Sequence, residues 1–367
     1  FMKIINLNQK LKIFKNLDKN IMNFFKSFHL FSLLEYLILA LVPALLIGPL
    51  IAEIILFISI IVYLRCINKE KKTKIFFFNN KLIYFFLFFY LYFFINSLIS
   101  STPIIISFKI FFFLRFIFLL IIIDYILLKN ENFLISLSKI ILTTFIILFI
   151  DALIQKITGI NIFGLEKINN YRISSFFGDE LVMGGFIARF SPLLLFGYFL
   201  FKNKKLQKLS AITFLISFYF ILLSGERAAL VSALISLLYC SVFLEIEKKI
   251  ILKSFVIIIT LLTLVIASDT KVKTRIITHY LEQTSHSSQE ANILKKYIPI
   301  QLINLFDSTP ELLEKNGLIG LGPYSFRYYC NQKIQEKPCK GGHPHNSYLQ
   351  LLIETGYLGL LYFLIPF

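Results

Sequence analysis

LLEYLILALVPALLIGPLIAEIILFISIIVYL, residues Leu33 to Leu64, carries no charge apart from Glu35 and Glu53. A helix needs about 20 apolar residues to cross a bilayer core, so this run is too long for one crossing and suits two short ones. Pro43 and the Gly48-Pro49 pair supply the break. The stretch reads as a hairpin of two spanning helices. That decides the fold class, because backbone groups immersed in lipid must be satisfied within their own segment, and for runs of this length that means helices.

Outward from the hairpin, further apolar runs cover residues 82–99, 105–128, 133–155, 177–201, 209–224, 227–246 and 250–267, and a last one opens near Asn346. The expectation is an all-α polytopic membrane protein with about ten transmembrane helices. Composition agrees. Of 367 residues, 57% are hydrophobic and 42 are Phe, with a mean hydropathy of +0.75, whereas soluble domains stay at about 45–50% apolar. The formal net charge of +17 would point to nucleic acid in a soluble chain. Here the basic residues sit between apolar runs, so topology accounts for them and no nucleic acid partner is expected. No Trp is present, which leaves the 18 Tyr to supply any interfacial aromatic belt.

Residues 1–30 show no cleaved-signal pattern. Ile4, Leu7, Leu11, Phe14, Ile21, Phe25 and Phe28 recur at helical spacing with Lys between them, which reads as an amphipathic helix on the cytoplasmic leaflet; a basic tail is the alternative. Met at position 2 and an end inside an apolar run at Phe367 lead to the expectation of a chain truncated at its C-terminus. The division expected is a basic amphipathic N-terminus (1–30), a bundle of about nine spans (31–267), a large outer loop (268–344) and a tenth helix (345–367).

Charge orients the bundle. Arg65, Lys69, Lys71, Lys72 and Lys74, then Lys202, Lys204, Lys205 and Lys208, then Lys248 and Lys249 fall on one side, while the turns Ser100-Ser101-Thr102-Pro103 and Ser224-Gly225 on the other carry none. Basic loops stay cytoplasmic, so residues 268–344 face outward. Amphipathic pieces at Ile276–Leu281 and Ile293–Phe306 make that segment a partly helical cap. Cys330 and Cys339 lie within it; in an oxidising compartment they are expected to form a disulfide, two free thiols being the alternative.

Three helices are expected to start at the outer face, near Ser175, Ser224 and Asn346. A helix N-terminus plus an arginine fork makes an anion site. Arg172 precedes the first such start and Arg227 falls in the first turn of the second, where Ser224 fits a cap. Two such sites at one face suit a diphosphate held at headgroup depth. Plain ion pairs, Arg172 with Asp179 or Glu180 and Arg227 with Glu226, are the alternative. At the third start, Ser347 and Gln350 fit a capping box, and Asn346, Gln350 and Glu354 form a polar stripe on one helix face. That stripe is costly in a membrane and so a candidate for substrate binding, with His343 just upstream. His345 is the candidate general base, its pKa lying near ambient pH. Metal is not expected, since His343 and His345 stand two apart with no Cys or carboxylate set at ligand spacing, and no other cofactor is called for. Arg115, Asp124, Asp151 and Arg189 fall within spans and read as internal ion-pair partners.

On these residues the chain resembles the O-antigen ligase and O-antigen polymerase family of bacterial envelope polysaccharide glycosyltransferases. The resemblance rests on Arg172-Ile173-Ser174-Ser175-Phe176-Phe177-Gly178, on Ser224-Gly225-Glu226-Arg227-Ala228-Ala229-Leu230, and on His345-Asn346-Ser347-Tyr348-Leu349-Gln350 running on through Glu354, Gly356, Leu358 and Gly359. It implies a GT-C-like enzyme of the bacterial inner membrane with its large loop and active site in the periplasm. Such an enzyme moves a glycan from undecaprenyl diphosphate to a sugar hydroxyl of a glycolipid or glycan acceptor, such as lipid A-core, without metal. It puts the functional arginines and histidine at Arg172, Arg227 and His345, with Arg327 a weaker match, and it implies about two further spans beyond Phe367. A polymerase joining repeat units is the alternative within the class, and a flippase or exporter of lipid-linked sugars the alternative outside it.

The cysteine pair yields a direct check. Alkylation followed by intact mass should leave Cys330 and Cys339 unmodified until reductant is added; modification of both without reductant would show free thiols.

Overall fold

A computed structural model of the chain describes residues 30–69, 81–100, 108–168, 172–243, 248–285, 317–332 and 347–364. The N-terminal amphipathic stretch, Ile293–Phe306, His343, His345, Asn346, Cys339 and the Cys330 side chain lie outside the described residues.

Each of the ten apolar runs is a helix. In chain order they are α1 (Leu30–Ile47), α2 (Pro49–Lys69), α3 (Lys81–Ile99), α4 (Leu114–Lys129, entered through a 3-10 stretch at Phe108–Phe113), α5 (Phe133–Thr158), α6 (Met183–Leu200), α7 (Lys204–Ser224), α8 (Arg227–Phe243) and α9 (Lys248–Ser268). Short helices α10 (Thr270–Lys273), α11 (His279–Ser285) and α12 (Ser325–Gln332) follow, and α13 (Ser347–Leu364) is the last. Seven of these are long and apolar enough to cross a membrane, and α9 with the bent helix after it makes an eighth. The described residues thus hold seven to eight candidate spans against the ten expected, since α8 is too short for the test and α13 is kinked at Gly356. On α8, Val231, Ile235, Leu238 and Val242 stand exposed at three-to-four spacing, Val242 at 72%. An exposed apolar stripe of this kind suits contact with hydrocarbon or another apolar surface.

The hairpin breaks where expected, α1 ending at Ile47 and α2 starting on Pro49, a residue suited to the first helical position. The main core gathers α5 to α9 and the C-terminal end of α1. Phe149 on α5 and Phe220 on α7 stack with ring centroids 4.0 Å apart. Where α5, α6 and α7 meet, Gly197 faces Ser138 and Ser210, and the Ser210 hydroxyl donates to the Leu194 carbonyl at 2.6 Å. Small residues and hydroxyl bridges are what lets helices pack without a hydrophobic driving force between them. A second cluster joins α1, α2 and α4, with Glu53 and Arg115 paired at 2.8 Å between α2 and α4.

The tenth helix departs from a simple span. At Gly356 the backbone turns to φ 67°, ψ −171°, so carbonyls and amides on either side lose their helical partners. The segment 317–322 supplies them: Leu321 N–H donates to Ile353 O at 2.9 Å, Gly322 N–H to Glu354 O at 3.0 Å, and Tyr357 and Leu358 N–H groups donate back to Gly317 and Leu318. From α3, the Tyr92 hydroxyl donates to Thr355 O at 2.6 Å and Asn96 to Ile319 O. Tyr362 stacks on Phe85 at 4.6 Å, holding α13 to α3 beyond the kink. Gly320 and Gly356 pack backbone to backbone, so a Cβ on Gly320 would lie 2.6 Å from the Glu354 carbonyl carbon and closer still to the Gly356 nitrogen.

Gly320→Ala is therefore expected to lower stability by about 1–3 kcal/mol through overpacking and strain. Thermal unfolding of the purified protein in detergent checks this; an unchanged midpoint would mean the contact relaxes freely.

Candidate functional site

Buried polar side chains on α5 organise the loop that carries Arg172. Asp151 accepts from Ile162 N–H at 2.9 Å and from the Ser175 hydroxyl. One turn on, Gln155 takes the Ser174 and Ser175 amides at 3.0 and 2.8 Å on its Oε1 and donates to Leu165 and Glu166 carbonyls. Asn161 closes the turn through Phe163 and Leu165 amides and donates to Ser175 O. Asp151 and Gln155 are fully buried. A loop can lie against apolar helices only if its backbone groups find such partners. Asp151, expected as an ion-pair partner, serves this loop.

The first of the expected helix starts is corrected. Ser175–Phe177 is one 3-10 turn, and α6 begins only at Met183, because Gly178 at φ 56°, ψ −124° turns the chain out of the helical run. Arg172 instead joins an antiparallel bridge with Ile168 and inserts against the α7–α8 turn. It is buried, and its Nε donates to Ser224 O at 2.8 Å while Ile173 N–H donates to Leu223 O at 3.2 Å. Ser224 is the last residue of α7 rather than a cap of the next helix; its hydroxyl donates back to Ile221 O and accepts the Glu226 N–H.

Gly225 closes α7 at φ +69°, a conformation glycine adopts at little cost. It also leaves room: a Cβ there would sit 3.0 Å from Arg275 Cγ and 3.2 Å from Arg172 Nε. Arg275, in the π turn Thr274–Thr278, thus meets Arg172 across Gly225. Its buried Nε has no hydrogen-bond partner among the described residues. Arg227 opens α8, its guanidinium 5.2 Å from the Tyr280 ring centroid, a cation–π contact. Three arginines from separate segments converge on one turn.

Glu226 holds this turn to α6. Its carboxylate accepts Gly184 N–H at 2.7 Å and Gly185 N–H at 3.0 Å, the pairing of an anion with a helix N-terminus. Gly184 is required by contact, since a Cβ would meet Glu226 Cβ at 3.1 Å and the Ser224 hydroxyl more closely. Burial raises the Glu226 pKa, and the two amides with nearby Arg172 and Arg189 only partly oppose it. Glu226 therefore serves the Gly184-Gly185 amides, not a simple pair with Arg227.

A cavity of about 400 Å³ opens beside the same turn, lined among others by Lys156, Lys167, Asp269 and Lys271. Lys156 pairs with Asp269 at 3.1 Å and donates to the Tyr219 hydroxyl at 2.9 Å. These residues, with Arg275 and Tyr280, were not among those singled out in the sequence. The available signal was a departure from the expected charge rule, since Lys156 and Lys167 fall at the end of α5 and in the connection after it, on the side where lysine is expected to be disfavoured.

On α13, Glu354 is buried and its Oε1 accepts from Gln350 Nε2 at 3.1 Å. Gln350 thus turns along the stripe toward Glu354 rather than back to the helix start as a capping box would require. Arg327 stands exposed on α12, which packs against α13. The described contacts therefore form two groups, the arginine turn with its lysine cavity and the α13 kink with Glu354. Among the described residues no three His, Cys, Asp or Glu gather to hold a metal ion.

The sign of the Glu226 shift fixes a pH effect. A carboxyl with a raised native pKa favours folding when protonated, so its contribution is full below the ordinary value of 4.5 and is lost as pH rises through the native value. Glu226→Gln should flatten that part of the profile of thermal midpoint against pH, and Glu226→Ala should cost about 1–3 kcal/mol by stranding two amides. Identical profiles for wild type and Glu226→Gln would exclude the linkage.

Comparison with known proteins adds one family. Residues 212–364, from α7 through α13, match the family model for O-antigen ligase; no match is found among curated proteins. The matched segment contains Glu226, Arg227, Arg275, Arg327 and Glu354, while Arg172 and the α5 scaffold precede it. Over residues 212–364 this multi-spanning membrane protein is similar to the O-antigen ligase family.

Proposed function

We propose that this protein is an O-antigen-ligase-like glycosyltransferase of the bacterial inner membrane. It moves a glycan from undecaprenyl diphosphate to a sugar hydroxyl of a glycolipid acceptor, such as lipid A-core, at the periplasmic face. The family implies ligase or polymerase-type activity. The observation that carries the finer reading is the convergence of Arg172, Arg227 and Arg275 on the α7–α8 turn. Guanidinium groups at a bundle end, Arg172 buried and Arg227 and Arg275 half-buried, stabilise charge where a diphosphate departs.

In this mechanism the acceptor hydroxyl oxygen forms a bond to the anomeric carbon as the bond from that carbon to the diphosphate breaks. His345 takes the hydroxyl proton. Arg172 and Arg227 balance the negative charge that collects on the leaving diphosphate, which stays on its lipid. Gln350, Glu354, Asn346, His343 and Arg327 bind substrate near the start of α13. Charge gathered at a bundle end favours an enzyme over an exporter, whose path would need charges at mid-depth; Arg115 within the spans is already paired with Glu53.

Deletion in the native host, read by gel analysis of surface glycolipid, tests the reading. A ligase predicts loss of attached polymer with lipid-linked chains accumulating; attachment of single repeats alone would instead indicate a polymerase. Arg172→Ala and Arg227→Ala should each lower transfer about 10²–10³-fold, and His345→Ala about 10²–10⁴-fold. Full activity in His345→Ala would remove the general base from the scheme.

A further inference from the structure

The sequence reads Arg189 as an internal ion-pair partner, and the structure leaves it without one among the described residues. It lies in the second turn of α6, about 9 Å along the axis from Met183, and it is exposed. Phe196, two turns on and so on the same face, is 40% exposed, and Leu193 between them is half-buried. An arginine on an apolar face within a span is costly unless an anion meets it. Arg115, in the first turn of α4, has that anion in Glu53 at 2.8 Å. Arg189 makes neither a hydrogen bond nor an ion pair among the described residues. Its side chain runs back toward the start of α6: a Cβ on Gly185 would lie 3.7 Å from Arg189 Nη1 and 3.4 Å from Glu226 Oε2. Glu226 feels the charge of Arg189, yet its oxygens accept the Gly184 and Gly185 N–H groups and no ion pair closes between the two side chains. The guanidinium donors therefore stay unused by the described residues.

We propose that Arg189 is a binding residue for the phosphate of a membrane lipid seated against α6. A bilayer brings lipid phosphate to an apolar helix face near its end, where an arginine reaches up along its own helix to meet it. The planar fork of the guanidinium matches two phosphate oxygens, and both hydrogen bonds are charge-assisted. The site adjoins the arginine turn: α8, which opens on Arg227, packs on α6, and the charges of Arg172 and Arg189 both act on Glu226. Arg189 stands in the half of α6 nearer that turn, so its charge belongs to the same bundle end and not to a path at mid-depth. The lipid phosphate comes either from a lipid-linked diphosphate or from the headgroup of a bulk phospholipid. The site stands on α6 and does not rest on the transferase reading.

Arginine footprinting on the full chain in maltoside micelles, which hold no phosphate, tests this without any variant. Phenylglyoxal labelling of Arg189, read by peptide mass spectrometry, should fall several-fold when phosphatidic acid is added. Diacylglycerol with the same acyl chains, which lacks only the phosphate, should leave the labelling unchanged. Labelling at Arg115, already paired with Glu53, should stay constant with either lipid. Unchanged labelling of Arg189, an equal effect of the two lipids, or an equal fall at Arg115 overturns the proposal. So does an Arg189 that is unreactive in lipid-free dimers and reactive in monomers, since its partner would then be a carboxylate of a second copy. A polyprenyl diphosphate distinguishes the sources: protection at about tenfold lower concentration than phosphatidic acid identifies a lipid-linked diphosphate, and protection at equal concentration identifies a general headgroup site. Protection of Arg189 beside an unaltered glycolipid pattern in the deletion host would keep this site and remove the transferase reading. An altered pattern without protection would do the reverse.

Discussion

A backbone polar group without water must find a partner, and in this molecule each described departure from helix inside the bundle is built around that requirement. The connection from α5 to α6 survives against an apolar core because Asp151, Gln155 and Asn161 satisfy it. The kink at Gly356 survives because residues 317–322 lend it their own amides and carbonyls. In both places the irregular backbone brings functional residue types to a fixed position: Arg172 and Lys167 in the first, Glu354 in the second.

The second governing term is electrostatic. Arg172, Arg227 and Arg275 repel one another across a short distance, and at reduced dielectric that repulsion is larger than at a water-exposed surface. Structure moderates it with carbonyl, aromatic and carboxylate partners: Ser224 O for Arg172, the Tyr280 face for Arg227, and Glu226 close by, itself anchored on the Gly184-Gly185 amides. For the proposed diphosphate this arrangement is preorganised, with positive charge already in place and little reorganisation left to perform.

Much of this was legible in the chain. Leu33–Leu64 resolves into two helices at Gly48-Pro49 because length and helix breakers are local properties. The positions of Arg172 and Arg227 near helix ends could be read, yet the reason they meet could not. Arg172 reaches the α7–α8 turn through a folded loop rather than from a helix N-terminus, since Ser175–Phe177 forms one turn and stops. Gln350 offered a capping box by spacing, but in the folded helix its amide finds Glu354 instead. Arg275 and the three cavity lysines carried no motif.

By itself, then, the sequence determined the membrane class, the set of apolar helices and their alternation, because apolar length, breakers and loop charge act segment by segment and add up along the chain. Only the tertiary structure decided which charges share a space. Residues 156, 167, 172, 224–227 and 269–275 come from distant parts of the chain. What brings them together is the packing of α5 to α9 and the buried hydrogen bonds that fold one loop inward, both of them long-range interactions that no local pattern records.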